Sequence, residues 1–402
     1  MQNIQKSIQT LFTATATALL VIGASSAPAL SFDDVLMIGA YEPMSGPGAA
    51  LGIGASRGVG LAIDEWNGRG GIKIGGKSYE IKYTVYDHKY SAELAVEVAN
   101  KLVFDDKIKI LVTNSGSGPT IAATEAVLEK NKIFNTTTGW NPKAIGPDKT
   151  YTFRMWGTGN EFGASFLRWW VKNFPEKKRI AIFEGATSAG MASGNLMKVH
   201  AKSMGFEVVH EDYTDETATD FYAPITAMMA SNPDLIEMSA TRPGHEGLIV
   251  KQLYELGYKG AIVSAGTNPD ETFKIAGAKA MEGMYLLQSI SYDSPDVSAE
   301  EKAYAKKYQE KYNEKFVSFH SEKMYDAAIG VFGAIEACQC TDPTKLRDFF
   351  VTYKWKTLAG QMTSWGGEVT YGIKRQMIHA LPINVFKDGK IVTVAFGMPD
   401  VP

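Results

Sequence analysis

Three short segments carry residue types and spacings that could do chemistry. The run Thr113-Asn114-Ser115-Gly116-Ser117-Gly118-Pro119-Thr120 leaves a buried apolar stretch and enters a helical pattern, with Pro119 near the first turn. Free N–H groups at such a helix start, backed by the helix dipole, suit a carboxylate, and the Ser117 hydroxyl adds a donor. Ordinary capping by Ser117 accounts for the same residues without a ligand. Gly71-Ile72-Lys73-Ile74-Gly75-Gly76-Lys77-Ser78 fits the phosphate-loop spacing G-x-x-x-x-G-K-[ST]. That mechanism needs a strand before the loop and a helix after it. Here a helix precedes and a strand follows, so the segment reads as a helix-to-strand turn. Arg242, in Ser239-Ala240-Thr241-Arg242-Pro243, follows a short apolar strand. A guanidinium facing a cleft grips a carboxylate bidentately, whereas a surface Arg before Pro has no such role.

Other chemistries find little support. There is no G-x-S-x-G elbow, and neither cysteine has a convincing His partner. Asp33-Asp34 and Glu300-Glu301 are adjacent acids on a surface, not a placed catalytic pair. Six scattered histidines show no metal-ligand spacing. No enzyme activity, metal or cofactor is therefore expected, and a secreted hydrolase working through Ser117 stays an outside alternative. A net charge of −3 without a basic block argues against a nucleic-acid partner, and Lys177-Lys178-Arg179 reads as a solvated turn. Cys338 and Cys340 are the only cysteines. An oxidising destination permits a bond between them, but a C-x-C ring is tight, and two unbonded thiols at a helix end are the expected state.

The elements that position these segments alternate between strand and helix. Residues 1–29 have the marks of an export signal: Lys6, an apolar Leu11–Gly23 stretch, and Ala27-Pro28-Ala29 as a cleavage site. Strands are expected at Val35–Ala40, Tyr79–Asp87, Ile108–Thr113 and Ile133–Thr136, with helices at Gly54–Trp66, Ala92–Phe104 and Thr120–Lys130 between them. A second series has strands at Arg179–Phe183, Glu207–Tyr213, Leu235–Ser239 and Ala261–Ser264. Its helices fall at Glu161–Asn173, Met191–Met204, Tyr222–Ala230 and Gly247–Leu256. The fold class is thus α/β, with two Rossmann-like lobes of parallel sheet covered on both faces. Helices follow at Ala299–Asn313, Met324–Ala337 and Lys345–Val351, and the tyrosine stripe Tyr304, Tyr308, Tyr312 reads as packing. Lys387-Asp388-Gly389-Lys390 between apolar runs signals a hairpin.

The stretch Val35–Ile74 holds MSGP, then G-x-x-x-x-G, then AIDEWN, then GGI. Together with KYQEKYNEKF, MYDAA and the closing KDGKIV, it resembles periplasmic binding proteins of the branched-chain amino-acid type over nearly all of the chain beyond the signal. The resemblance implies a ligand cleft between two lobes joined by three crossovers. It places lobe 1 at 33–153 plus 287–371 and lobe 2 at 154–286 plus 372–402. It also implies capture of a solute by hinge closure, delivery to an inner-membrane ABC permease, a periplasmic location and a monomer. In such proteins the first loop forms one cleft wall, here with Tyr41 and Leu51. The segment Ser115, Ser117, Gly118 matches the ligand-contacting Ser-Gly, and the turn Thr137, Thr138, Gly139, Trp140 matches one that offers a hydroxyl and backbone groups to the ligand. Trp140 is either a cleft wall or packed on its own lobe.

This chain departs from the amino-acid pattern at several of those positions. Ala265 and Gly266 stand where relatives keep the acid that holds the ligand ammonium, Ala189 lies near their tyrosine, and Leu51 replaces another. A buried ammonium without a counter-charge is costly. The expected solute is therefore a small organic carboxylate with an apolar or aromatic body. A branched-chain or other hydrophobic amino acid, received by Glu184 or Glu246, and an amide are alternatives. A sensor module feeding a receptor is the alternative of another class.

Overall fold

The computed structural model describes residues 31–397 and Pro399, apart from Pro47, 266–268, 288–291, 293–296 and 315–316. The expected export signal and Gly266 lie outside the described residues. Two sheets organise Phe32–Pro402. Read across its ladder, the first runs Ser364–Gly366, Gln376–Ile378, Thr152–Arg154, Phe134–Thr137, Ile110–Leu111, Asp34–Glu42, Lys77–Asp87, Ile72–Ile74. The second runs Lys390–Gly397, Leu381–Lys387, Tyr285–Leu286, Ala261–Ser264, Leu235–Glu237, Arg179–Gly185, Glu207–Thr214. Both are parallel at the centre; the first is antiparallel at both edges and the second only at the Leu381–Lys387 and Lys390–Gly397 edge, as expected when helices cross over between the central strands. This is the α/β two-lobed architecture anticipated from the alternation of patterns.

Among the described residues the chain crosses between the sheets three times. The first follows Thr152–Arg154, and the second follows Tyr285–Leu286. Gln376–Ile378 still pairs in parallel with Arg154, so the last crossing runs from Ile378 to Leu381, beyond the expected Tyr371.

Helix starts follow their capping residues. Ser91, Thr187 and Asp342 accept from backbone N–H groups of the first turns, and Thr158 with Glu161 and Ser298 with Glu301 form capping boxes. Helices Ala49–Gly68 and Phe319–Cys338 pack closely because Gly58 lies against the backbone of Ser321, where an added Cβ would meet the carbonyl oxygen at 1.9 Å. The two central first-lobe helices each end in a π turn, at Lys101–Asp105 and Thr124–Leu128. Tyr304 and Tyr308 are buried, as their spacing suggested.

The phosphate-loop look-alike is a hairpin: Ile72–Ile74 pairs with Lys77–Asp87 around Gly75 and Gly76, both at positive φ. One expectation fails. Cys338 and Cys340 are bonded to each other, not free. Gln339 ends the preceding helix in the left-handed region (φ 53), which folds the chain back and brings the two Cα atoms to 5.2 Å. Its side chain takes the Gly75 N–H at 2.8 Å and donates to the Lys73 carbonyl at 3.0 Å, so this turn also holds the hairpin.

Candidate ligand cleft

In the first sheet the strands Asp34–Glu42, Ile110–Leu111 and Phe134–Thr137 end at one edge, where open α/β sheets present ligand loops. Thr113 (φ 69) and Gly116 (φ 92) turn the chain out of the sheet and into the helix Ser117–Ala123. A buried polar frame fixes this loop. Asn114 accepts from the Tyr41 N–H at 2.9 Å and donates to the Thr136 carbonyl at 3.1 Å. Thr137 donates to the Asn114 carbonyl at 2.8 Å and accepts from the Gly139 N–H at 2.9 Å. Thr138 donates to the Ser115 hydroxyl at 3.3 Å, and the Ser115 N–H reaches Glu42 at 3.2 Å. Burial pushes Glu42 up to about 8, opposed by its hydrogen bonds from Ser115 and Thr113. Because the Ser117 hydroxyl accepts from the Asn141 N–H at 2.9 Å, its own proton remains to be donated.

From the second sheet come Ala189, in the first turn of Ser188–Ser203, and the segment Ser239–Arg242 after the strand Leu235–Glu237. Asn141 spans the gap, donating to the Ser188 carbonyl at 3.1 Å and hydroxyl at 3.0 Å. Arg242 lies 4.3 Å above the Tyr90 ring and is paired with Glu216. Its buried Nε–H has no acceptor among the described residues. Trp140 stacks on Phe162 with centroids 6.2 Å apart and planes within 5°. His320 is bonded to the Leu51 carbonyl at 3.2 Å, and burial lowers its pKa to about 4, so the ring is neutral near pH 7.

These groups line a small, partly open cleft. Of the residues singled out from sequence, Leu51, Ser117, Thr138, Trp140, Ala189 and Arg242 line it. Tyr41 instead packs among Leu102, Leu111 and Val127, reaching the loop only through its backbone N–H. Ser115, Thr137 and Gly139 are buried one layer behind the wall. Gly118 sits in the first helical turn off the wall, and Ala265 is wholly buried in the core. Gly116, Ser239, Ala240 and Thr241, from the two segments quoted above, also line the cleft, as do Tyr90 and His320, which were not anticipated. Tyr90 had a local signal: it precedes the Ser91 cap at a strand-to-helix turn. His320 comes from a helix start more than two hundred residues away in sequence, and nothing local marks it.

No Asp or Glu side chain lines the cleft among the described residues. Glu184 turns inward and takes the Ala240 N–H at 3.0 Å and the Thr241 hydroxyl at 3.1 Å. Burial, then the nearby Glu237, holds its pKa well above the carboxylate range. Glu246 takes the hydroxyls of Thr272 at 2.8 Å and Ser264. Both carboxyls are fully buried.

Comparison with known proteins fits this geometry. A family model described as periplasmic binding protein matches residues 36–390. A curated relative, the Leu/Ile/Val-binding protein BraC3 of Rhizobium johnstonii, is 26% identical over 359 residues, 89% of this chain and 92% of the relative. Among solved structures, a leucine-binding protein of Thermotoga maritima superposes with a TM-score of 0.78 at 22% identity, covering 91% of this chain and 99% of that one. An ABC-transporter solute-binding protein from R. palustris in complex with benzoate also reaches 0.78, at 18% identity over 91% and 97% of the two chains.

Proposed function

Because this chain belongs to the periplasmic binding protein family, we propose that it captures a small organic carboxylate with an apolar or aromatic body and hands it to an inner-membrane permease. The lobes, 33–153 plus 287–371 and 154–286 plus 372–402 with the last crossing shifted to Ile378–Leu381, close over the solute about their three crossovers. The N–H groups at the start of Ser117–Ala123 and the Ser117 hydroxyl receive the carboxylate, and the Arg242 guanidinium faces it across the cleft. Leu51, Tyr90 and Trp140 hold the apolar body.

The observation that supports this reading is the cleft wall itself, which has a helix start and Arg242 but no carboxylate among its described residues. An α-amino acid would bury its ammonium without a counter-charge, which is expensive. A hydrophobic amino acid remains the second reading, supported by the relative named for Leu/Ile/Val binding.

A thermal-shift screen of benzoate, 4-hydroxybenzoate, leucine, valine and benzamide tests the choice. A ligand at about one hundred times its Kd adds about 2.7 kcal/mol of stability. Aromatic acids should raise the melting temperature and the amino acids should not. A shift with leucine or valine, and none with any acid lacking an amine, defeats the reading.

A further inference from the structure

At the rim of the cleft the two lobes are joined through Asn141, a residue outside the cleft lining and next to the wall residue Trp140. Asn141 follows the strand Phe134–Thr137 of the first sheet and caps the short turn Pro142–Ala144. Its partner Ser188, beside the wall residue Ala189, opens the helix Ser188–Ser203 after the strand Arg179–Gly185 of the second sheet. The Asn141 Nδ2 donates to the Ser188 carbonyl at 3.1 Å and to its hydroxyl at 3.0 Å. A second bridge, the Arg242 guanidinium 4.3 Å over the Tyr90 ring, lies on the cleft wall and is therefore shared with the solute.

Each polar group of Asn141 has a separate task. The backbone N–H donates to the Ser117 hydroxyl at 2.9 Å, which leaves the Ser117 proton for the cleft. The backbone carbonyl accepts from the Arg154 guanidinium at 3.3 Å. Arg154 is wholly buried and ends the strand before the first crossing; it also bonds the side chain of Gln376, on the strand before the last crossing. The side-chain Oδ1 accepts from the Lys143 N–H at 2.9 Å. Because the Lys143 N–H can only donate and the Ser188 carbonyl can only accept, the amide has one orientation, with Nδ2 aimed at the other lobe. One residue thus ties a cleft donor, the hinge strands and the opposite lobe together.

We propose that Asn141 is a positioning residue for solute capture: it latches the second lobe onto the first when the cleft closes, and it holds the Ser117 hydroxyl toward the solute. The proposal rests on the reading that two lobes close over a solute, and not on which solute that is. The Asn141–Ser188 bonds contain no solute atom and exist only while the lobes meet. They therefore favour the closed state and lower the apparent Kd of any occupant. A contact made after the solute has entered does not speed its arrival; it slows its departure.

Asn141→Ser isolates the latch. Serine keeps the backbone N–H for Ser117 and an acceptor for the turn, but it is too short to reach Ser188. Stopped-flow binding of benzoate to the whole mature protein, followed by tryptophan fluorescence, should show koff raised about threefold to tenfold and kon changed by less than about twofold. Ser188→Ala removes one acceptor from the far lobe; it should raise koff by less, and it stands in if the first variant does not fold. A role in stability alone would lower the urea midpoint and leave koff as it was. Unchanged koff in the folded variants, or a fall in kon that accounts for the whole loss of affinity, overturns the proposal. If the wild type does not bind benzoate, the carboxylate reading fails by itself, and the same kinetics are read with leucine. If neither binds, small-angle scattering of the ligand-free proteins decides: a larger radius of gyration in Asn141→Ser supports the latch, and equal radii overturn it.

Discussion

Arg242 enters the cleft with its charge already partly answered, by Glu216 on one side and the Tyr90 ring beneath. Its contribution to an acid ligand should accordingly fall toward the low end for buried charge pairs: Arg242→Ala should weaken benzoate by about 2 kcal/mol. Adding Glu216→Gln should recover stability lost by stranding Glu216, without recovering affinity. Calorimetry and melting of both variants check this, and unchanged affinity in Arg242→Ala would remove the guanidinium from the site. Glu42 gives a pH dependence. Its folded pKa, about 8, is above the ordinary value of 4.5, so between these the folded state holds a proton that the unfolded state has lost. Stability must then fall as pH rises from about 4.5 to 8 and level off above that. Glu42→Gln should flatten this part of the profile, measured as urea midpoints at pH 5.5 and 8; an unchanged slope would show that Glu42 is not buried as described. At this scale the sequence was informative where chemistry is local. Ser117 and Thr138 stand at strand ends whose turns announce themselves in Gly and Pro. Tyr41 went astray because one residue decides which side of a strand faces the cleft.

Secondary elements were legible wherever a cap and a periodic run agree. The Tyr222–Ala230 helix and the Leu381–Lys387 and Lys390–Gly397 hairpin around Asp388 and Gly389 follow their signals closely. The strand expected over Ile108–Thr113 shrinks to Ile110–Leu111, since Thr113 leaves the extended region to begin the ligand loop. The Cys338–Cys340 bond, the less expected of the two states, goes with a left-handed turn at Gln339, a conformation that a non-glycine residue rarely takes. The close passage of Ala49–Gly68 over Phe319–Cys338 was equally hidden, being a property of two segments far apart in the chain. It makes a prediction: Gly58→Ala, harmless in an isolated helix, should cost about 1–3 kcal/mol by forcing the pair apart at Ser321. Equilibrium unfolding in urea checks it, and a stabilised variant would contradict the packing.

For the molecule as a whole, alternation of strands and helices was enough to predict two α/β lobes, while the crossings came only from resemblance. The last crossing fell later than expected because the short Gln376–Ile378 strand carries too few residues to reveal which sheet it joins. The cleft draws on Leu51, Tyr90, Ser117 and Trp140 from one sheet's side and Ala189 and Arg242 from the other's, and no single stretch of sequence contains both. The proposed carboxylate rests on their combination of Arg242, the Ser117 hydroxyl and apolar side chains, with Glu184 and Glu246 turned away into their own hydrogen bonds. Calorimetric titration of the mature protein with benzoate and, separately, with leucine tests that claim most directly. Saturable binding of benzoate, with no heat from leucine at equal concentration, is the predicted result. Saturable binding of leucine with none of benzoate would contradict it.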